Sequence, residues 1–169
     1  MWRVMHNANL KFIVDHNVGK MAKWLRIAGF DATLFMGADD DAIIAAALVE
    51  NRILLTRDRR IMKRRVIVSG LIKAILIESD HFKTQVQQLL STLKLDKSSF
   101  HPFTTCLECN RQLEECAKEA IKDRVPPYVY LTQEHFAECP VCRRLYWQGT
   151  HWQAMNKDID AILSFENHP

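Results

Sequence analysis

Two features that a membrane or secreted protein needs are missing from this sequence. No apolar run approaches the roughly 18 residues that a bilayer-spanning helix requires. The opening MWRVMHNANLKF has none of the apolar core, about 7–15 residues long, of a secretory leader. Together these absences predict a soluble, cytoplasmic protein with no membrane partner. Internal repeats and low-complexity tracts are missing too, which excludes a solenoid or a biased tail. Disorder is excluded by abundance instead: 48% of the 169 residues are hydrophobic, enough to bury a core. Five cysteines are an odd number for a disulfide framework, and a reducing compartment suits metal ligation better.

What is present is an alternation of short apolar runs and helical patterns. KFIV at Lys11–Val14 predicts a strand ending at Asp15. Val18, Met21, Leu25 and Ala28 recur at helical spacing until Gly29 stops them. Ala32–Phe35 is a second strand candidate, and Asp40–Val49 a helix with Ile43, Ile44, Ala47 and Leu48 on one face. RILLT at Arg52–Thr56 predicts a buried strand, followed by a basic helix from about Arg59 that ends before Gly70. Lys73–Ile77 is the fourth strand, and Phe82, Val86, Leu89, Leu90 and Leu93 mark an amphipathic helix. The expectation is an α/β fold with a mostly parallel sheet covered on both faces. A boundary near Lys97–Thr105 divides it into residues 10–98 and a cysteine-bearing unit, 99–155, with a helical tail to 169.

Cys106 and Cys109 form one C-x-x-C pair, and Cys139 and Cys142 another, 29 residues apart. Two residues between cysteines let both thiolates approach one ion from a tight turn, and two such turns complete a closed tetrahedral zinc site. That reading makes the metal structural. A redox pair needs only one C-x-x-C and leaves the second unexplained. Cys116 falls outside the pattern and reads as a small core residue. The interval has room for a helix at Gln112–Asp123 and a strand at Tyr128–Leu131.

In a parallel sheet, sites lie beyond the carboxyl ends of the strands. That rule selects Asp15 after the first strand and Asp58 after the third, and Asp40 opens a helix on the same rim. Each has an ordinary use as a helix cap. Their joint position suits Mg²⁺ or Mn²⁺, since converging carboxylates repel and would be raised in pKa unless a cation intervenes. Arg57, Arg59, Arg60, Lys63, Arg64 and Arg65 surround Asp58. Such a run is commonly a solvated face; beside a metal site it also suits a phosphate backbone, with Lys20, Lys23 and Arg26 extending it.

FIVDHNVGKMAKWLRIAGFD (12–31), D-D-x-x-I-I from Asp39 to Ile44, and RILLTRDRRIMKR (52–64) together resemble the RNase domain of the Mut-seven-C family. CLECN (106–110), RVPPYVY (124–130) and CPVCRRLYWQGTHW (139–152) resemble that family's zinc ribbon, so the likeness spans about Lys11 to Met155. It implies a PIN-like domain followed by a zinc ribbon, and a metal-dependent ribonuclease with Asp15, Asp40 and Asp58 as its acidic site. Glu78 or Asp80 is the available fourth acid, and His16 and Asn17 stand where the family pattern has apolar or small residues. Arg57, Arg59, Lys63 and Lys20 are then the RNA-backbone contacts. Tyr128, Tyr130, Tyr146, Trp147 and Trp152 are available for base stacking or for the ribbon core. The rival expectation is a non-catalytic RNA- or ribosome-binding module on the same scaffold.

Overall fold

The computed structural model describes residues 10–164. Strands β1 (Lys11–Asp15), β2 (Asp31–Phe35), β3 (Ile53–Thr56) and β4 (Ala74–Leu76) form a parallel sheet in the order β2-β1-β3-β4. Period-two alternation sends Phe12, Val14, Ile53 and Leu55 to one face, against α1 (Lys20–Ile27), α5 (Phe82–Leu93) and α7 (Thr150–Ser164). Ile13 and Leu54 point the other way, against α2 (Asp40–Val49), α3 (Arg59–Met62) and α4 (Arg65–Val68). Burying each such Leu, Ile or Phe stabilises the fold by about 1.5–3 kcal/mol, so a one-residue slip in either central strand is costly. From β1 the chain steps outward to β2; from β3 it steps the opposite way to β4. The strand order therefore reverses between β1 and β3, and a crevice opens at their carboxyl ends.

Side chains bond to the outer backbone of both edge strands. At β2, Asn110 Oδ1 accepts the Ala32 N–H at 2.8 Å and Arg26 Nε donates to Ala32 O at 2.8 Å. At β4, Gln88 Nε2 donates to Leu76 O at 2.7 Å and its Oε1 accepts the Glu78 N–H at 3.0 Å. Ala32 N–H and O, Leu76 O and Glu78 N–H, which would otherwise help to template a further strand, are thus satisfied within the chain.

The cysteine-bearing unit holds a three-stranded antiparallel sheet, β5 (Glu114–Cys116), β6 (Phe136–Glu138) and β7 (Leu145–Trp147), with α6 (Pro127–Thr132) between β5 and β6. Its apolar centre is Ile121, Val125 and Phe136, with Cys116 packed against them. Helix α7 leaves this unit and returns Ile159 and Ile162 to the core over α5. Residues 165–169 of the expected tail, and the first nine on which the leader reading rested, lie outside the described residues. No described helix is long and apolar enough to cross a membrane.

Three expected elements are corrected. The helix expected at Gln112–Asp123 is strand β5 followed by a 3-10 turn at Lys118–Ile121. The first C-x-x-C turn holds this segment extended, through Cys106 N–H to Arg111 O and Leu113 N–H to Thr104 O. The strand expected at Tyr128–Leu131 is instead α6: Pro126 and Pro127 offer no N–H to a ladder, and Pro127 suits the first helical turn. The basic helix breaks at Lys63–Arg64 into α3 and α4. In a continuous helix Arg59 and Arg60 would face Lys63 and Arg64 one turn on, like charge against like.

Helix α1 ends in a Schellman motif, with Phe30 N–H on Leu25 O and Gly29 N–H on Arg26 O, and Gly29 at φ +93°. A Cβ at Gly29 would stand 2.1 Å from His101 O, whereas one at Gly70 (φ +77°) would meet nothing within 4 Å. Gly70→Ala should therefore cost about 1 kcal/mol, for the backbone alone, and Gly29→Ala about 3 kcal/mol. Urea unfolding of both variants checks this; equal losses would contradict the close approach of the 100–103 segment.

Candidate active site and metal centre

Asp15 closes β1 and is only 5% exposed. A carboxylate buried this far needs donors. Its Oδ2 accepts from Thr56 Oγ1 at 2.7 Å and Asn17 Nδ2 at 2.7 Å, and its Oδ1 lies 2.9 Å from His16 Nδ1. Asp15 caps no helix: the turn that follows has no side-chain cap, and α1 starts from Gly19. Thr56, fully buried at the end of β3, also accepts the Asp58 N–H at 3.0 Å. Asn17 Oδ1 accepts the Arg57 N–H at 3.2 Å. Two side chains thus tie β1 to β3 at the crevice and fix Asp15 relative to Asp58. Sequence reasoning missed both Thr56 and Asn17; the available signal was a hydroxyl at the last position of an otherwise apolar strand.

Asp58 does cap α3: its Oδ1 accepts the Arg60 N–H at 2.6 Å, and Arg60 Nη2 lies 2.9 Å from Oδ2. The Arg60 guanidinium and N–H hold the Asp58 carboxyl below the usual range. At Asp58 the intervening cation is thus an arginine of the chain itself, which sets the direction of the shift. Asp39, not Asp40, caps α2, by accepting the Asp41 N–H at 2.9 Å. Asp40 is therefore free of that role, and its charge reaches Arg60. Among the described residues no three carboxylate or imidazole groups bring ligand atoms within 4.8 Å of one another; the four cysteines alone do. Thr56 thus joins the Asp15 carboxylate to the backbone of Asp58, and Asp40 is related to them through its charge on Arg60. Asp80 pairs with Arg57, and Glu78 is exposed with its N–H on Gln88.

Lys20, Arg59 and Lys63 are exposed and enter no ion pair among the described residues. Arg26 does not extend this face. Its Nη1 donates to Leu107 O at 2.7 Å and Glu108 O at 3.2 Å, in the first cysteine turn.

The four Sγ atoms lie within 4.8 Å of one another, and Cys106 Sγ is 3.7 Å from Cys142 Sγ. A tetrahedron with zinc–sulfur bonds of about 2.3 Å has edges of about 3.8 Å, so the set fits a zinc ion. The two turns repeat each other. Cys106 N–H bonds Arg111 O and Cys139 N–H bonds Arg144 O, while Asn110 N–H and Arg143 N–H return to Cys106 O and Cys139 O. Asn110 (φ 55°) and Arg143 (φ 61°) are left-handed, which curls each turn around its sulfurs. Cys109 N–H and Cys142 N–H point at Cys106 Sγ and Cys139 Sγ. Tyr146 accepts the Leu107 N–H at 3.2 Å, leaving its own proton for Cys106 Sγ at 3.1 Å. Burial pushes the Cys106 thiol up, but Tyr146 and the N–H groups of Cys109 and Glu108 outweigh it and hold it at about 6. Cys109 is pushed up to about 12 by its hydrogen bond with Cys142, by burial and by the charge on Cys106.

The first turn also docks on the parallel sheet. Besides capping Ala32, Asn110 donates from Nδ2 to Asp31 Oδ1 at 2.6 Å, and Arg52 grips Asp31 with two nitrogens at 2.6 and 3.2 Å. Of the aromatics, Tyr146 serves the sulfurs, Trp147 packs near Phe136 and Trp152 near Phe103. Tyr128 alone is open, at 75% exposure.

A family model described as Mut7-C RNAse domain matches residues 10–159, nearly the whole chain. No curated protein and no solved structure matches significantly.

Zinc uptake should release protons from Cys109 and Cys139, whose thiols are held up, so affinity should fall as pH falls. Below about pH 6 Cys106 protonates as well and the fall should steepen. Tyr146→Phe should move that break to higher pH. Competition with a chromophoric chelator across pH 5–8 measures both; a pH-independent affinity would contradict the thiolate assignment.

Proposed function

Since this chain belongs to the Mut7-C RNAse domain family, we propose that it is a cytoplasmic Mg²⁺- or Mn²⁺-dependent endoribonuclease with a PIN-like domain, residues 10–98, and a zinc ribbon, 99–155. One observation carries the reading: a buried carboxylate, Asp15, that caps nothing and is joined through Thr56 to Asp58 at the reversal of strand order. Asp15 and Asp58, with Asp40 beside them, supply hard oxygen donors for a hydrated divalent ion. Bound there, such an ion activates water and stabilises charge developing on a phosphodiester. Thr56 and Asn17 hold the Asp15 carboxylate in place and keep its orientation fixed. Lys20, Arg59 and Lys63 offer charge to the RNA backbone without first breaking an ion pair, while Arg57 is engaged by Asp80.

The ribbon's role is support. Between Thr104 and Gly149 seven acids face six Lys and Arg, so the backbone-binding charge belongs to the α3–α4 side of the molecule. Four thiolates around zinc would close the two turns and hold Asn110 and Arg26 on the β2 edge. A second reading, an RNA-binding module without cleavage, draws support from the pairing of Asp58, Asp80 and Asp41 with arginines.

Labelled single-stranded and structured RNAs, incubated with Mn²⁺, Mg²⁺ or EDTA, separate the two. Cleavage should need the metal and should drop about 100-fold or more in Asp58→Asn. Asparagine caps a helix as well as aspartate does, so the unfolding midpoint should barely move. Undiminished cleavage in Asp58→Asn would point to a contaminant, and no cleavage with either metal would favour the binding module.

A further inference from the structure

We propose that Arg60 is a phosphate-binding residue held in reserve, its guanidinium occupying Asp58 until a divalent cation takes that carboxylate and frees Arg60 for the RNA backbone. The proposal rests on the metal-dependent reading of the rim.

The positions of the charges point to it. Arg57, Arg60 and Arg64 recur at spacings of three and four, and each meets an acid: Asp80, Asp58 and Asp41. One cationic run therefore neutralises three acids around the crevice, and only at Arg60 is the acid also joined to Asp15. Arg60 spreads over both oxygens of Asp58, with Nη2 at 2.9 Å and Nε at 3.3 Å from Oδ2, and Nε at 3.4 Å from Oδ1. It stands where a metal ligated by Asp58 would stand.

Departure of the guanidinium costs the fold little. The cap on α3 uses the backbone N–H of Arg60, not its side chain. The side chain is 83% exposed, so it leaves no cavity, and an exposed pair of this kind is weak. Asp15, by contrast, is locked by Thr56, Asn17 and His16. Asp58 is thus the carboxylate that can change partners. Two cations on one carboxylate repel, so a divalent ion displaces the monovalent group. The freed guanidinium remains tethered beside the metal, and its planar fork matches two phosphate oxygens. Metal and RNA binding must then reinforce each other, by the same factor in either direction.

The test uses the full chain loaded with zinc. Mn²⁺ binding is read from the loss of the free-ion EPR signal, with Asp58→Asn identifying the part due to the rim. RNA affinity is read with a nuclease-resistant 2′-O-methyl phosphorothioate oligonucleotide, with and without Mn²⁺. In the wild type Mn²⁺ should tighten oligonucleotide binding. In Arg60→Ala, Mn²⁺ alone should bind about two- to fivefold tighter, the range set by an exposed ion pair. Its enhancement of oligonucleotide binding should fall by at least half, with an unchanged urea midpoint. Equal Mn²⁺ affinity and an undiminished enhancement in Arg60→Ala would overturn the exchange while leaving the metal site standing. No rim-dependent Mn²⁺ binding in either protein would overturn the metal reading itself, and the exchange with it.

Discussion

A carboxylate inside a protein has to be solvated by the protein, and Asp15 sets that requirement at the centre of this fold. Its position follows from β1, whose four preceding residues carry the strand between two layers of helices. The donors that meet it come from the two places the chain can reach: Asn17, two residues on, and Thr56, at the end of the neighbouring parallel strand. Because Thr56 also receives the Asp58 N–H, satisfying one buried charge fixes the backbone of the second acid. The geometry of the rim is therefore a consequence of sheet register, since Val14 must lie opposite Leu55 for Thr56 to reach Asp15.

The cysteine unit is bound to that sheet by polar contacts. Asn110 is left-handed because the first cysteine turn curls there, and the same curl presents its amide to the open edge of β2. Arg26 reaches from α1 to two carbonyls of the turn. Burial pulls its guanidinium down, and the Cys106 charge is the foremost influence opposing that. A metal held by the thiolates would thus stiffen a turn that protects the sheet edge, which links the two units without placing the metal near the acids.

The parallel half was legible in the sequence because its signals are local. Short apolar runs ended in Asp or Thr, helical spacing marked α1, α2 and α5, and Gly29 stopped α1 where its positive φ was needed. Helix α2 runs from Asp40 to Val49 and buries Ile43, Ile44 and Ala47 of its expected apolar face, while Leu48 is exposed. The cysteine pairing was legible for the same reason. The segment between the pairs was not, because bonds to Thr104 and Cys106 hold its start extended and paired prolines start a helix where a β-rich YVYL run suggested a strand. Thr56, Asn110 and Gln88 escaped notice because their roles are tertiary: Asn110 and Ala32 are 78 residues apart. The basic run was visible, but sequence alone did not divide it into arginines that face acids and residues, Arg59 and Lys63, that face solvent.

The central claim is that the crevice between β1 and β3 holds a divalent cation, and crystallography tests it most directly. Crystals of the zinc-loaded protein, soaked in millimolar Mn²⁺, can be measured at a wavelength where manganese scatters anomalously. The account predicts a peak at the rim, about 2.0–2.3 Å from a carboxylate oxygen of Asp58 and on the Asp15 side of it. A rim without an anomalous peak, with Asp58 still on Arg60, would contradict it.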